Sequence, residues 1–270
     1  MLNCGPLNVG HMPVVAAVLS TVTFAGTYVM AALRGDVDPL FPYISDTAVS
    51  RPESCVFAQA LNAVAFLFLL IIYLRYRLVD ELSRESDKTL ARLNALSLVA
   101  GVCSTVGLSM IANFQESAVF AVHITGAFLC FGAGTLYACL QAAVTCRMYP
   151  LYIGRPICVI RSLIAALSLL CFIACVTFGV LASRAFHAHY PDKPLPRPWS
   201  GHDSNAPGHA YHITSAICEW ALAALSVSFL LSYSRDFEKL RCSINVQPLV
   251  GHLDESPVDT HSTGDARVLL

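Results

Sequence analysis

The sequence predicts an all-α polytopic membrane protein, with six transmembrane helices packed as one bundle. Three observations predict it: six apolar stretches of about 20 residues, 56% hydrophobic against 13% charged residues, and a mean hydropathy of +0.60. At roughly 1.5 Å of rise per residue, a helix of about 20 residues crosses a roughly 30 Å hydrocarbon core. Backbone in lipid must satisfy its own hydrogen bonds, so runs of this length are helices rather than strands.

In chain order the expected spans are 12–33, 54–74, 93–113, 118–139, 160–182 and 211–233. The first lacks a basic leader and exceeds the usual apolar core of a signal peptide, about 7–15 residues, so it reads as a retained helix. Val29-Met30-Ala31 keeps a cleaved signal open as the alternative. Residues 34–53, with Asp36, Pro39, Pro42, Asp46 and Pro52, read as a kinked, ordered connector. The mixed-charge segment 75–92 extends the second helix or opens the third. Phe114–Ser117 is a tight link that makes spans three and four an antiparallel hairpin. Residues 183–209 hold five prolines and four histidines (His187, His189, His202, His209) and read as a solvated connector, with a pH-responsive segment as the alternative. The division is a membrane domain over 1–233 and a cytosolic tail over 234–270 that reads as disordered.

Of the 17 Lys and Arg, 12 fall on one side of the bilayer if the chain starts in the cytosol: Arg75, Arg77, Arg84, Lys88, Arg92, Arg147, Arg155, Arg161, Arg235, Lys239, Arg241 and Arg267. The other side holds Arg34, Arg51, Arg184, Lys193 and Arg197. Because positive residues stay cytosolic, both termini are expected there. A net charge of −1 argues against a nucleic-acid surface. The 11 cysteines suggest no disulfide framework; Cys146 and Cys242, just beyond spans, are candidates for palmitoylation.

Ser97, Gly101, Thr105, Ser109 and Asn113 repeat every four residues along span three, and span four carries Gly126, Gly132 and Gly134. Small residues at that spacing let helix backbones approach, which predicts spans three and four at the bundle centre. Glu219 lies well inside span six, where a carboxylate costs roughly 2.5–3.5 kcal/mol unless it faces protein or water. His212, Ser215 and Glu219 share a helix face, and His123, Asn62 and Asn113 reach comparable depth. Asn62, Asn113, His123, His212 and Glu219 therefore form a candidate exoplasmic polar cluster. Interhelical hydrogen bonding, a ligand or lipid-headgroup pocket, and acid–base or metal chemistry all fit these residue types. Neither metal-ligand spacing nor a nucleophile motif accompanies them, so no catalytic residue, metal or cofactor is predicted.

Several ordered segments resemble the DRAM family, the damage-regulated autophagy modulators. They are Pro42-Tyr43-Ile44-Ser45-Asp46-Thr47 with Pro52-Glu53-Ser54 and Phe57, Arg75-Tyr76-Arg77, and Ala112-Asn113-Phe114-Gln115-Glu116. His123 with Gly126-Ala127, Tyr211-His212, Ser215-Ala216-Ile217-Cys218-Glu219-Trp220 and Arg235-Asp236-Phe237 complete the set. The resemblance implies six membrane helices, residence in lysosomal membranes and promotion of autophagy, in some members with stress-induced apoptosis. It implies no enzymatic activity and supplies no catalytic residues. Asp265, Leu269 and Leu270 fit an acidic dileucine sorting motif in an accessible tail. The expected function is a non-enzymatic lysosomal or late-endosomal protein whose partners are the bilayer and cytosolic autophagy or sorting-adaptor proteins. A lipid-handling or lipid-remodelling protein that uses the polar cluster is the alternative, and a transporter fits least.

Overall fold

The structure, a computed structural model, describes residues 9–83, 87–199 and 205–242, with the backbone of 2–3 and 245–246. Among the described residues, six helices are long and apolar enough to cross a membrane: α1 Met12–Arg34, α2 Glu53–Ser83, α3 Lys88–Asn113, α4 Phe120–Met148, α5 Arg155–His189 and α6 His209–Phe237. Two-residue strands, β1 Leu2–Asn3 and β2 Asn245–Val246, pair antiparallel.

Local chemistry sets the helix ends. Pro13 and Pro156 occupy first-turn positions of α1 and α5, where the missing N–H is harmless. Gly35, with φ of 77°, closes α1 by donating its N–H to the last-turn carbonyls of Ala31 and Ala32. Asp87 caps α3 by accepting the N–H groups of Thr89 and Leu90. The guanidinium of Arg147, at 2.7 Å, joins those amides in holding the Asp87 carboxyl below the usual carboxylate range.

The helices outrun the apolar stretches that announced them. α2 continues to Ser83 through charged residues, and α5 continues to His189, so His187 and His189 are helical and the connector begins only at Tyr190. Each imidazole Nδ1 returns to a carbonyl one turn back, His187 to Ser183 and His189 to Ala185. The described part of the connector that leads to Trp199 is anchored rather than free. Trp199 is 5% exposed, stacked on His212 and edge-on to Phe186.

Consecutive helices pack side by side, and α6 returns to α1, so the bundle closes as a ring in sequence order. α3 and α4 are therefore neighbours in that ring and not a central pair. Their contact is nonetheless close, because Gly107 faces the backbone of α4 at Cys130 and Gly126. Phe128–Ala133 forms a π turn inside α4, and Ser104 of α3 donates to the Cys130 carbonyl at 2.8 Å there.

Candidate functional site

At the end of the ring that carries residues 35–52, the connector is folded onto α6 by two bonds. Glu219 Oε2 accepts the Ile44 N–H at 2.9 Å, and the Trp220 indole donates to the Pro42 carbonyl at 2.9 Å. Tyr43 donates to Ser215 at 2.7 Å, and the Ser215 hydroxyl donates in turn to the Cys175 carbonyl of α5. A short 3-10 turn, Asp46–Ala48, then brings Thr47 to 3.2 Å from Thr27 of α1. Asp46 is 3% exposed and lies outside the membrane-spanning helices. Burial, with Glu116 and Glu219 nearby, pushes its carboxyl well above the usual range, against the pull of the Tyr43 N–H and Arg197.

The five residues expected to cluster separate into three settings. Asn62 and Asn113 bond each other at 3.0 and 3.1 Å, and Ser109 donates to Asn62 at 2.7 Å, which ties α2 to α3. His212 lies between Trp199, stacked at 5.1 Å, and Tyr43, edge-on at 4.7 Å. His123 and Glu219 come together at a different place, since both line the same two cavities. One, of about 90 Å³, is apolar and sits inside the ring; the other, of about 340 Å³, lies among α4, α5 and α6. Ser45, Ala127 and Phe131 also border both. The larger cavity adds Glu116 and Arg197, paired at 3.2 Å, with the Arg197 guanidinium 3.4 Å from the Phe120 ring centre. Their pairing could not be read from the sequence, because both lie in connectors whose path depends on the fold. Among the described residues, no His, Cys, Asp and Glu group has metal-holding geometry. Asp265, Leu269 and Leu270 lie outside the described residues.

The opposite end holds a constellation that sequence reasoning missed. Arg75 of α2 and Arg161 of α5 are 1% and 0% exposed, and both reach Oδ2 of Asp236, at 3.2 and 2.7 Å. Both guanidiniums lie over the Tyr233 ring, 5.1 and 4.6 Å from its centre. Gln141 accepts from Arg75 and donates to Ser97; Ser232 and Thr145 accept from Arg161. Helices α2, α3, α4, α5 and α6 are thereby joined through one charged knot. The available signal was the pair Gln141 and Arg161, polar side chains embedded in apolar helical sequence. Reading every edge arginine as an orientation marker, its stem in lipid and its head in water, concealed them. Setting Arg75 and Arg161 aside leaves, among the described residues, eight basic side chains at the termini end against five, and the bias stands.

A sequence-ordered ring of six apolar helices, polar-bonded at both ends, defines a polytopic α-helical membrane protein. The chain belongs to the family described as the Frag1/DRAM/Sfk1/Cwh43P N-terminal domain, whose model matches residues 8–240. It is 35% identical over 243 residues to the DNA damage-regulated autophagy modulator protein 2 of Homo sapiens, covering 88% of each chain. To the human DNA damage-regulated autophagy modulator protein 1 it is 31% identical over 244 residues, covering 90% of this chain and 97% of that one. The Danio rerio modulator of macroautophagy TMEM150B matches 50% of this chain and 56% of its own, at 36% identity. No solved structure matches the chain.

Proposed function

We propose that this protein modulates autophagy without catalysing a reaction, from lysosomal or late-endosomal membranes, with both termini cytosolic. The observation that carries the reading is the alignment of relatives named as autophagy modulators along 88–90% of the chain. The basic excess at the termini end supports the orientation by the positive-inside rule. The charged knot supports a structural basis for it, since it locks five helices beneath the surface that cytosolic autophagy or sorting-adaptor proteins would meet. A role in stress-induced apoptosis belongs to the same reading.

Deleting the gene should lower autophagic flux, measured as inhibitor-sensitive turnover of a lipid-conjugated autophagosome marker, and re-expression should restore it. Unchanged flux in both starved and DNA-damaged cells would refute the proposal. The acidic dileucine of Asp265, Leu269 and Leu270 is the proposed sorting signal. Replacing both leucines with Ala should move the protein toward the plasma membrane in surface biotinylation, and unaltered lysosomal overlap would dismiss the motif.

A further inference from the structure

We infer that the cavity among α4, α5 and α6 is a binding site, open toward the bilayer, for a single-chain amphiphile with a primary amine headgroup. The site stands whether or not the protein acts in autophagy.

The opening follows from how two helices meet. α4 and α5 pack together along Gly134–Met148 but diverge over Phe120–Ala133. Phe128 and Phe172 span the gap edge to face, with ring centres 6.3 Å apart. The rim residues Ile124, Phe128 and Val180 are 37%, 50% and 48% exposed, as apolar side chains at a lipid-facing opening would be. An occupant therefore enters sideways from the membrane. The volume of about 340 Å³ is near the lower end of ligand pockets, roughly 300–1,000 Å³, which suits one acyl-type chain rather than two.

The headgroup chemistry follows from counting which polar atoms are spent. Tyr43 donates to Ser215, Ser215 to Cys175 and Ser45 to Glu116. Arg197 is ion-paired with Glu116 and covered by Phe120, so its charge is balanced in place although its Nε makes no hydrogen bond. Two acceptor atoms remain. Glu219 is 9% exposed and uses only Oε2, so among the described residues Oε1 has no hydrogen-bond partner. His123, 5% exposed, has Nδ1 at 2.7 Å from the Phe114 carbonyl. A carbonyl can only accept, so Nδ1 carries a proton, and in the neutral ring Nε2 keeps a free lone pair. Both residues border the cavity, and both unused atoms are acceptors. A headgroup that donates several hydrogen bonds and carries positive charge satisfies them, and it offsets the excess of Glu116 and Glu219 over Arg197. An alkyl ammonium does this; a sulfate or phosphate brings only acceptors.

The test uses the full-length chain in phosphatidylcholine nanodiscs and three photoreactive C18 probes with the same mid-chain diazirine: a primary amine, an alcohol and a sulfate. The amine should label peptides of α4, α5 and α6 at least about tenfold more than the other two, and unlabelled octadecylamine should displace it. Glu219→Gln and Gly179→Leu should each lower amine labelling by about tenfold or more. Gly179 is the space-filling choice because a Cβ there meets only Ser215 Oγ at 3.4 Å and Tyr43 Oη at 3.6 Å. It leaves the carboxylate untouched, so it decides the matter if Glu219→Gln does not fold. Equal labelling by amine and alcohol, or by amine and sulfate, would overturn the proposal. So would amine labelling that survives the Gly179→Leu change.

Discussion

Replacing Asp236 with Ala removes the carboxylate on which Arg75 and Arg161 converge. The two guanidinium nitrogens lie 3.2 and 2.7 Å from the same Oδ2, so they are no more than about 6 Å apart. At an effective dielectric of about 20, two unit charges at about 6 Å repel by roughly 3 kcal/mol. Both arginines are at most 1% exposed, so neither can turn to water without opening the helix ends. Removing one partner of a buried ion pair costs roughly 3–5 kcal/mol, and the repulsion alone accounts for much of that. The assay is reversible unfolding of the purified protein in mixed micelles. Asp236→Ala should lose about 3–5 kcal/mol. Adding Arg161→Met to it should recover part of the loss, because the remaining Arg75 keeps Gln141 and the Tyr233 ring without a second cation beside it. A loss below about 0.5 kcal/mol, or additive losses in the double variant, would refute the view that Asp236 compensates two buried charges.

Further outcomes follow from the two ends of the ring. The Asp46 carboxyl is raised by burial and by its acidic neighbours, so the folded state holds that proton more tightly than the unfolded chain does. Stability should therefore fall as pH rises from about 4, the unfolded carboxylate value, up through the raised folded value. Thermal melts should show a higher midpoint near pH 5 than near pH 7.5, and Asp46→Asn should flatten the difference; an unflattened profile would assign the effect elsewhere. Gly107→Ala places a methyl against the α4 backbone at Cys130 and Gly126, so it should destabilise the α3–α4 contact, whereas Gly26→Ala meets nothing within 4 Å and should be neutral or mildly stabilising. Similar melting of these two variants would argue against close packing of α3 on α4. In a double-mutant cycle, Asn62→Leu and Asn113→Leu should couple by about 0.6–1.7 kcal/mol, and zero coupling would show that their mutual bonds carry no weight.

The sequence by itself determined that the chain lies in a bilayer, how many times it crosses and which end carries the basic residues. Apolar runs of helix-spanning length are local facts, and lipid leaves such backbone no alternative to helix. It also singled out Glu219 and His123, since polar side chains stand out at that depth in apolar sequence. Which polar residues meet was decided only by the tertiary structure. Asn62 and Asn113 share a depth with Glu219, yet their helix faces turn them to each other, while Trp199 folds back over His212. Depth along a helix is written in residue number; rotation about its axis is settled by packing against neighbours. For the same reason Arg75, Arg161 and Asp236, far apart in the chain, read as separate flanking charges until the ring closed and placed them on one oxygen atom.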